Sequence, residues 1–310
     1  MTVNLLITGA TGFIGSRVAA AAARRPEVRV RHLSRRPHAE HAGDGVVPGD
    51  LADPASLRGS CADTDVLVHC ASQIGGDPET AAAVNDHGTR ALVAEAVRCG
   101  VRRIVYVSTA AVYGRGPFRG LLPGEAPLAP ASATSRSRAA AERHVLDADG
   151  LVLRPHLVYG TGDRWVIPGL VGLLREVSAS VTGCTARQSM IDVETLGRAV
   201  VAAALSPSHG PGVHHVNHPE PVPSSALLEA VATHVTDAGG GAAVDVATAR
   251  ARTAGSPQAR HHLDMLTVDH WFADDGFWKD LDCAPGTGFA DTFPRSAPWY
   301  RTFLGCTVGS

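Results

Sequence analysis

Lysine is almost absent from this chain of 310 residues. Only Lys279 among the 28 basic residues is a lysine, and 30 acidic residues leave a formal net charge of −2. A chain this close to neutrality has no overall field that would attract nucleic acid or an anionic membrane. Neither is therefore expected as a partner.

Long hydrophobic runs are also missing. The longest run of small apolar residues, around residues 20–23, is flanked by arginines and is far shorter than the roughly 20 residues that span a bilayer. The first residues pass straight into a predicted strand, without the basic start and small-residue cleavage site of a signal peptide. We therefore expect a cytoplasmic protein.

Paired metal or disulfide ligands are missing as well. The six cysteines are scattered and form no Cys-x-x-Cys pair, which argues against a disulfide framework or a zinc site. The histidine doublets 214–215 and 261–262 are poor chelates in a strand, because adjacent side chains point to opposite faces. We expect no metal site.

Strand-like and helix-like segments alternate through the first half. Short segments rich in Val, Ile and Leu predict buried strands at residues 3–8, 28–33, 46–48, 66–70, 104–108 and 151–153. The alanine-rich segments 12–24, 54–59, 80–99 and 134–147 predict helices. This order predicts an α/β fold with a doubly wound parallel sheet.

A glycine-rich turn joins the first predicted strand to the first helix. Residues 8–15 read TGATGFIG. Gly9 permits the tight turn, Gly12 allows the backbone to approach a pyrophosphate, and Gly15 allows close packing of helix on strand. The helix N-terminus then offers unpaired N–H groups to the phosphates. This position and spacing predict a dinucleotide site in a Rossmann-type domain.

The end of the second strand indicates which dinucleotide is bound. An NAD site usually has an acidic residue there, but this chain has Ser34, Arg35 and Arg36, with no acid before Glu40. Arginines hold a 2′-phosphate by charge-assisted hydrogen bonds. NADPH is therefore expected, and NADH is less favoured. Asp50 is a candidate acceptor for the adenine amino group.

Together the motifs of this chain resemble the extended short-chain dehydrogenase/reductase family. Besides the glycine turn, they are Gly49-Asp50-Leu51, His69-Cys70-Ala71, Asn85 with Gly88-Thr89, the segment STAAVYG at 108–114, Leu153-Arg154-Pro155 and Val158-Tyr159-Gly160. The likeness extends from residue 3 to about residue 217. It implies that Pro155, His156, Leu157 and Val158 lie beside the nicotinamide and that the C-terminal residues form the substrate pocket.

The resemblance and the motifs define a cofactor site and a domain division. Residues 1–160 are expected to form the NADP(H)-binding domain, to which 188–217 return, whereas 161–187 and 218–310 form a smaller interleaved substrate-binding part. The predicted cofactor-binding residues are Gly9, Thr11, Gly12, Phe13, Ile14, Ser34, Arg35, Arg36, Asp50, Leu51, Cys70, Ala71, Ser72, Ser108, Pro155, His156, Leu157 and Val158.

The proton-transfer residues of the family are missing. The family uses a serine or threonine, a tyrosine, and a lysine four residues after that tyrosine. Thr109 matches the first, but Thr134 and Arg138 stand where the tyrosine and lysine should be, and no Tyr-x-x-x-Lys occurs anywhere in the sequence. A threonine hydroxyl is a far weaker acid than a tyrosine, and arginine stays charged. This helix is expected to help bind the ribose or the substrate without acting as an acid or a base.

Three functions remain open. A reductase could take its proton from a substrate hydroxyl, from water, or from His156, Tyr113 or Tyr159. A non-catalytic NADP(H)-binding sensor would also account for the lost pair. A nucleotide-sugar epimerase or dehydratase is least favoured, because those reactions need a base.

The composition favours a particular kind of reductase. Abundant Ala, Gly and Arg with nearly no Lys are typical of a high-GC genome. With the altered active site, the chain is similar to the atypical ketoreductases of aromatic polyketide antibiotic pathways, which reduce a ring ketone of an angucyclinone. The resemblance implies an aromatic ketone substrate and a monomer or homodimer. The catalytic candidates are Thr109, Thr134, Arg138 and His156, and the substrate candidates are Gln73, Tyr113, Tyr159, Trp165 and Gln188.

Overall fold

The computed structural model describes residues 2–35, 45–238, 242–279 and 281–306. A seven-stranded parallel sheet lies at its centre, with the strand order β12-β7-β5-β4-β1-β2-β3. Its members in chain order are β1 (Val3–Thr8), β2 (Val28–Ser34), β3 (Val46–Pro48), β4 (Val66–His69), β5 (Arg103–Val107), β7 (Leu151–Arg154) and β12 (Gly212–His215). The predicted doubly wound parallel sheet is confirmed.

The central strands are apolar on both faces because helices cover both. Leu5 and Ile7 of β1 point into one core and Leu6 points into the other, and all three are fully buried. The helices α1 (Phe13–Ala22) and α6 (Val193–Leu205) close the first face. The helices α3 (Gly88–Arg98) and α4 (Ala133–Leu146) close the second.

Two predicted helices differ from the structure. Residues 54–59 form only a short 3₁₀ turn, Pro54–Leu57, capped by Asp53 and followed by Gly59 at a φ of 81°. The segment 80–99 is divided into the short helix α2 (Pro78–Ala81), π-helical turns at Ala82–His87, and α3. Asn85, a buried polar residue, lies in those π-helical turns, and propensity alone cannot foresee such a departure.

Three small sheets lie outside the central one. A four-stranded sheet has the order β13-β10-β15-β6, and two pairs of strands, β8 with β11 and β9 with β14, complete the set. Their bounds are β6 (Phe118–Leu121), β8 (Leu157–Tyr159), β9 (Val181–Thr182), β10 (Arg187–Gln188), β11 (Met190–Asp192), β13 (Val222–Pro223), β14 (Val244–Asp245) and β15 (His270–Phe272).

The C-terminal residues have a core of their own but also share that of the sheet. The helices α5 (Val166–Val177), α7 (Ser224–His234), α8 (Val246–Arg252), α9 (Pro257–Thr267) and α10 (Phe289–Leu304) pack around one apolar cluster. Phe277 and Trp278, however, are buried in the cluster beneath the central sheet. The C-terminal part is therefore interleaved with the sheet.

Candidate active site and dinucleotide site

The glycine turn after β1 forms a close-packed cradle. Gly9 has a φ of 71°, and a Cβ there would lie 2.7 Å from the Cα of Ala71. A Cβ on Gly15 would lie 2.1 Å from the Gly9 carbonyl oxygen. Both positions therefore require glycine, one because of its conformation and both because of the nearby backbone.

The N-terminus of α1 fits a pyrophosphate. Gly12 is the N-cap and offers no side-chain cap to the N–H groups of the first turn. Thr11 and Gly12 are exposed, and Phe13 and Ile14 are partly exposed. Uncapped N–H groups at the positive end of a helix bind phosphate oxygens. The chain would hold the phosphates with this first turn.

The residues expected at the adenosine end lie along the neighbouring strand ends. Ser34 ends β2 and Arg35 follows it, exposed, whereas Arg36 lies outside the described residues. Asp50 follows β3, and its Oδ1 accepts a hydrogen bond from the N–H of Ala52 at 2.9 Å. Leu51 is buried beneath Gly88, where a Cβ would meet the Leu51 carbonyl oxygen at 2.4 Å.

A buried histidine fixes the end of β4. The hydroxyl of Thr8 accepts from the N–H of Ala71 and lies 2.6 Å from Nδ1 of His69. Nε2 of His69 lies 2.9 Å from the Thr89 hydroxyl. Burial lowers the pKa of His69 to about 3, so its ring is neutral. Cys70 and Ala71 follow at the carboxyl edge of the sheet.

Asn85 joins the loop after β4 to α4. Its Oδ1 accepts from the Ser72 hydroxyl at 3.2 Å and from the Gln73 N–H at 2.7 Å. Its Nδ2 donates to the Gln73 carbonyl and to the Ser137 hydroxyl, both at 3.0 Å. All polar atoms of this buried amide are used. Asn85 belongs to a motif of the sequence, but its role was not predicted.

Thr134 and Arg138 lie on α4, where a capping box between Ser132 and Ser135 begins the helix. The Thr134 hydroxyl accepts from the N–H of Gly75 at 3.3 Å, in the loop after β4. The Arg138 guanidinium donates to the Val107 carbonyl at 2.6 Å and lies 6.0 Å from the centre of the Tyr106 ring. Thr134 thus contacts the loop after β4, and Arg138 contacts the end of β5.

Thr109 and Ser108 follow β5 and differ in their surroundings. Thr109 is partly exposed, and its Oγ1 accepts from the N–H of Ala111 at 3.2 Å, which leaves the hydroxyl proton for another acceptor. The Ser108 hydroxyl is buried and donates to Glu142 at 2.5 Å. Thr109 therefore has the donor that can meet a ligand.

A buried ion pair supports this region. Arg154 contacts both oxygens of Glu142, at 2.9 and 2.5 Å, and donates to the Tyr113 hydroxyl at 2.6 Å. The Tyr113 hydroxyl also lies 3.0 Å from Nε2 of His215. Burial raises the pKa of Tyr113 and lowers that of His215 to about 4. The Glu142–Arg154 pair was not predicted from the sequence.

His156 lies among aromatic and amide groups beyond β7. The backbone N–H of His156 donates to Oδ1 of Asn217 at 2.8 Å. The ring Nε2 lies 3.4 Å from Oε1 of the fully buried Gln188. The Gln188 amide nitrogen donates to the carbonyls of Met265 and Val268, which fixes its oxygen as the acceptor. Burial, reinforced by His270, lowers the pKa of His156 to about 3.

The other predicted residues are dispersed. Pro155 and Val158 are buried, and Leu157 is half-buried. Gln73 is held through its backbone by Asn85, whereas the Tyr159 hydroxyl lies 2.5 Å from that of Thr292 in the C-terminal core. Trp165 is 57% exposed. The structure thus brings Thr109, Thr134 and Arg138 to strand ends and leaves Tyr159 and Trp165 elsewhere.

The described residues offer neither a clustered metal-ligand set nor a membrane-spanning helix. In the described part of the chain, no three His, Cys, Asp or Glu side chains are grouped so that they could hold a metal ion. No helix among the described residues has the length and apolar character needed to cross a membrane.

Comparison with known proteins identifies the family. A family model described as the NAD-dependent epimerase/dehydratase family matches residues 5–217. The chain belongs to this family. The match confirms the resemblance to the extended short-chain dehydrogenase/reductases, and it supports a nicotinamide cofactor and an enzyme of the oxidoreductase type.

Individual relatives agree with this assignment. A 2-alkyl-3-oxoalkanoate reductase of Stenotrophomonas maltophilia is 27% identical to this chain. The alignment covers 94% of this chain and 98% of the reductase. A ketoreductase of a farnesyl-dihydroquinoline-1-oxide from Stigmatella aurantiaca is 30% identical over 54% of each protein. The crystal structure of the Bordetella bronchiseptica enzyme WbmH with NAD+ superposes with a TM-score of 0.74, at 22% identity, over 98% of this chain and 100% of that one.

Proposed function

We propose that this epimerase/dehydratase family member is an NADPH-dependent ketoreductase. Its substrate would be a ring ketone of an aromatic polyketide of the angucyclinone type, and the proton would come from a substrate hydroxyl or from water. One observation carries the proposal: Thr134 and Arg138 occupy the positions of the family's tyrosine and lysine. Neither side chain is an acid that can donate near neutral pH.

The other candidate donors of the chain support an external proton source. Burial raises the pKa of both Tyr113 and Tyr159, and the Tyr159 hydroxyl also pairs with Thr292. His156, with a pKa lowered to about 3, carries no extra proton at neutral pH. A general acid should have a pKa near the working pH, and none of these three meets that requirement.

A nicotinamide cofactor held by the first turn of α1 would supply the hydride for reduction of the carbonyl. The hydroxyl of Thr109 would orient the carbonyl oxygen. Arg138 would donate hydrogen bonds to the ribose hydroxyls. A phenol beside the carbonyl would give its proton to the alkoxide, and the phenolate would then regain a proton from the solvent. The net change is ketone, NADPH and one solvent proton to alcohol and NADP⁺, without a protein acid.

The cofactor preference rests on the end of β2. Ser34 and Arg35 stand where an acidic residue would bind the ribose diol, and Arg36 follows in the sequence. The relatives add support for carbonyl reduction, because two of them are named as a reductase of an oxo acid and as a ketoreductase. We further propose that the protein acts as a monomer or homodimer on a small aromatic ketone.

A non-catalytic NADP(H) sensor is the second candidate, and the loss of the tyrosine–lysine pair favours it. Epimerase or dehydratase activity is less well supported, although relatives of those names exist. Such reactions need a base to remove a proton, and Thr134 and Arg138 do not supply one.

The test is NADPH consumption, followed at the nicotinamide absorbance, on pairs of aromatic ketones that differ only in a hydroxyl beside the carbonyl. We expect turnover of the hydroxylated ketones. Turnover of those alone would identify the substrate hydroxyl as the proton source, and turnover of both members of a pair would identify water. If the protein binds NADPH tightly but no ketone of any pair causes NADPH to be oxidised, the sensor is favoured.

Two variants test the proton source. Thr134→Ala and Arg138→Ala should each keep turnover within a few-fold of wild type if the substrate or water donates. Loss of a general acid costs on the order of 10² to 10⁴ in rate, so a loss of about a thousandfold in Thr134→Ala would contradict the proposal.

A further inference from the structure

A tyrosine from the last helix closes the turn that follows β8. The N–H of Gly160 donates to the Tyr300 hydroxyl at 2.8 Å, and that hydroxyl donates to Oδ2 of Asp163 at 3.0 Å. The N–H of Asp163 returns to the Gly160 carbonyl at 3.0 Å. The hydroxyl of Tyr300 therefore links both ends of the four-residue turn 160–163.

Asp163 anchors the same turn to α5. Its carboxylate accepts from the backbone N–H groups of Trp165, Val166 and Ile167 at 2.8 to 2.9 Å, in addition to the bond from Tyr300. Asp163 is 1% exposed and Tyr300 is fully buried. A buried carboxylate with four donors cannot move without leaving charge and N–H groups unpaired. The turn is thus held by groups that the proposed reaction does not use.

The apex of this turn lies against the first turns of α1. The guanidinium of Arg17 donates to the Thr161 carbonyl at 3.0 Å. Gly162 has a φ of 103°, and a Cβ there would lie 3.1 Å from the Phe13 ring. Phe13 is the first residue of α1, whose uncapped N–H groups form the expected phosphate site. The turn therefore borders the pyrophosphate-binding region.

We propose that Asp163 and Tyr300 are positioning residues for the dinucleotide. They hold the 160–163 turn in the one arrangement that supports the start of α1, and so increase the affinity for the cofactor without contacting it. A site that is competent for only part of the time binds its ligand correspondingly more weakly. The inference rests on dinucleotide binding and does not depend on the ketone substrate.

The first test is Tyr300→Phe, which keeps the ring and removes the link. We expect its dissociation constant for NADPH, measured by nicotinamide fluorescence and calorimetry, to rise at least about tenfold. The KM for NADPH should rise with it, while kcat at saturating NADPH stays near wild type. Amide hydrogen exchange at Gly160 in the free protein should become faster.

The matched control is Thr253→Val. This variant also removes one buried hydroxyl of the C-terminal part, which donates to the Ala249 and Arg250 carbonyls at 2.9 and 3.4 Å, but it does not touch the turn. It should lose similar stability and keep wild-type NADPH affinity. Equal weakening of NADPH binding in both variants would overturn the inference, because it would then reflect stability alone.

A second pair of variants tests the contact between α1 and the turn. Arg17→Met removes the bond to Thr161, whereas Glu194→Gln removes only the ion pair that Arg17 makes at 2.9 Å. We expect Arg17→Met to weaken NADPH binding and Glu194→Gln to leave it near wild type. Unchanged NADPH affinity in both Tyr300→Phe and Arg17→Met would overturn the inference.

Discussion

At the scale of single residues, the site depends on buried polar groups that are fully paired. Glu142 and Arg154 have side chains only 1% and 5% exposed, and between them they contact Ser108 and Tyr113. Burying two charges is costly, and good geometry with further hydrogen bonds offsets that cost. This pair therefore fixes the end of β5, directly before Thr109.

Removing one member of this pair should be strongly destabilising. We expect Arg154→Met to lower the free energy of unfolding by about 3–5 kcal/mol, because it leaves the Glu142 carboxylate buried and unpaired. Urea denaturation measures the change. The control is Arg102→Met, which breaks the exposed pair with Asp65 and should cost less than about 1 kcal/mol. Similar losses in the two variants would contradict the assigned role.

At the scale of elements, the approach of α1 to β1 determines whether the cofactor can bind. Gly15 stands on the inner side of α1, where the Gly9 carbonyl leaves no room for a side chain. Gly172 lies in the middle of α5 with nothing near its added Cβ. The packing therefore requires glycine at position 15, whereas no neighbouring atom requires it at position 172.

The same substitution should have opposite effects at these two positions. Gly15→Ala should destabilise the protein by about 1–3 kcal/mol and abolish measurable NADPH binding, because the cradle must open. Gly172→Ala should stabilise by up to about 1 kcal/mol through helix propensity. Thermal unfolding and NADPH fluorescence titration measure both effects. Wild-type NADPH affinity in Gly15→Ala would show that the cradle is not the phosphate site.

At the scale of the whole molecule, the C-terminal part is joined to the sheet by shared core residues. Trp278 is buried beneath the sheet and donates to the Asn217 carbonyl at 2.9 Å. All four tryptophans, Trp165, Trp271, Trp278 and Trp299, lie in the proposed substrate-binding part. The fluorescence of Trp165, Trp271 and Trp299 therefore reports on that part and the fluorescence of Trp278 on the core shared with the sheet, whereas far-ultraviolet circular dichroism reports on the entire chain.

This arrangement predicts cooperative unfolding. We expect the urea transitions measured by tryptophan fluorescence and by circular dichroism to coincide, because neither part can expose the shared core alone. Two separated midpoints would show that the C-terminal part unfolds independently and would contradict the interleaved arrangement.

The sequence by itself determined the nucleotide-binding half. Six strand positions could be predicted because parallel strands buried on both faces leave uninterrupted Val, Ile and Leu segments, and the glycine turn is a local backbone requirement. The absence of Tyr-x-x-x-Lys is likewise a property of the sequence alone, and the motif spacing identified the family that the comparison confirmed.

Only the tertiary structure decided how the remaining polar residues are paired. Asn85 reaches Ser137, Glu142 reaches Arg154, and Tyr300 reaches Gly160, across separations of 52, 12 and 140 residues. No local pattern encodes such contacts, because each depends on the packing of elements that are distant in the chain. The protonation state of His156 was set in the same way, by burial beside Gln188 and His270.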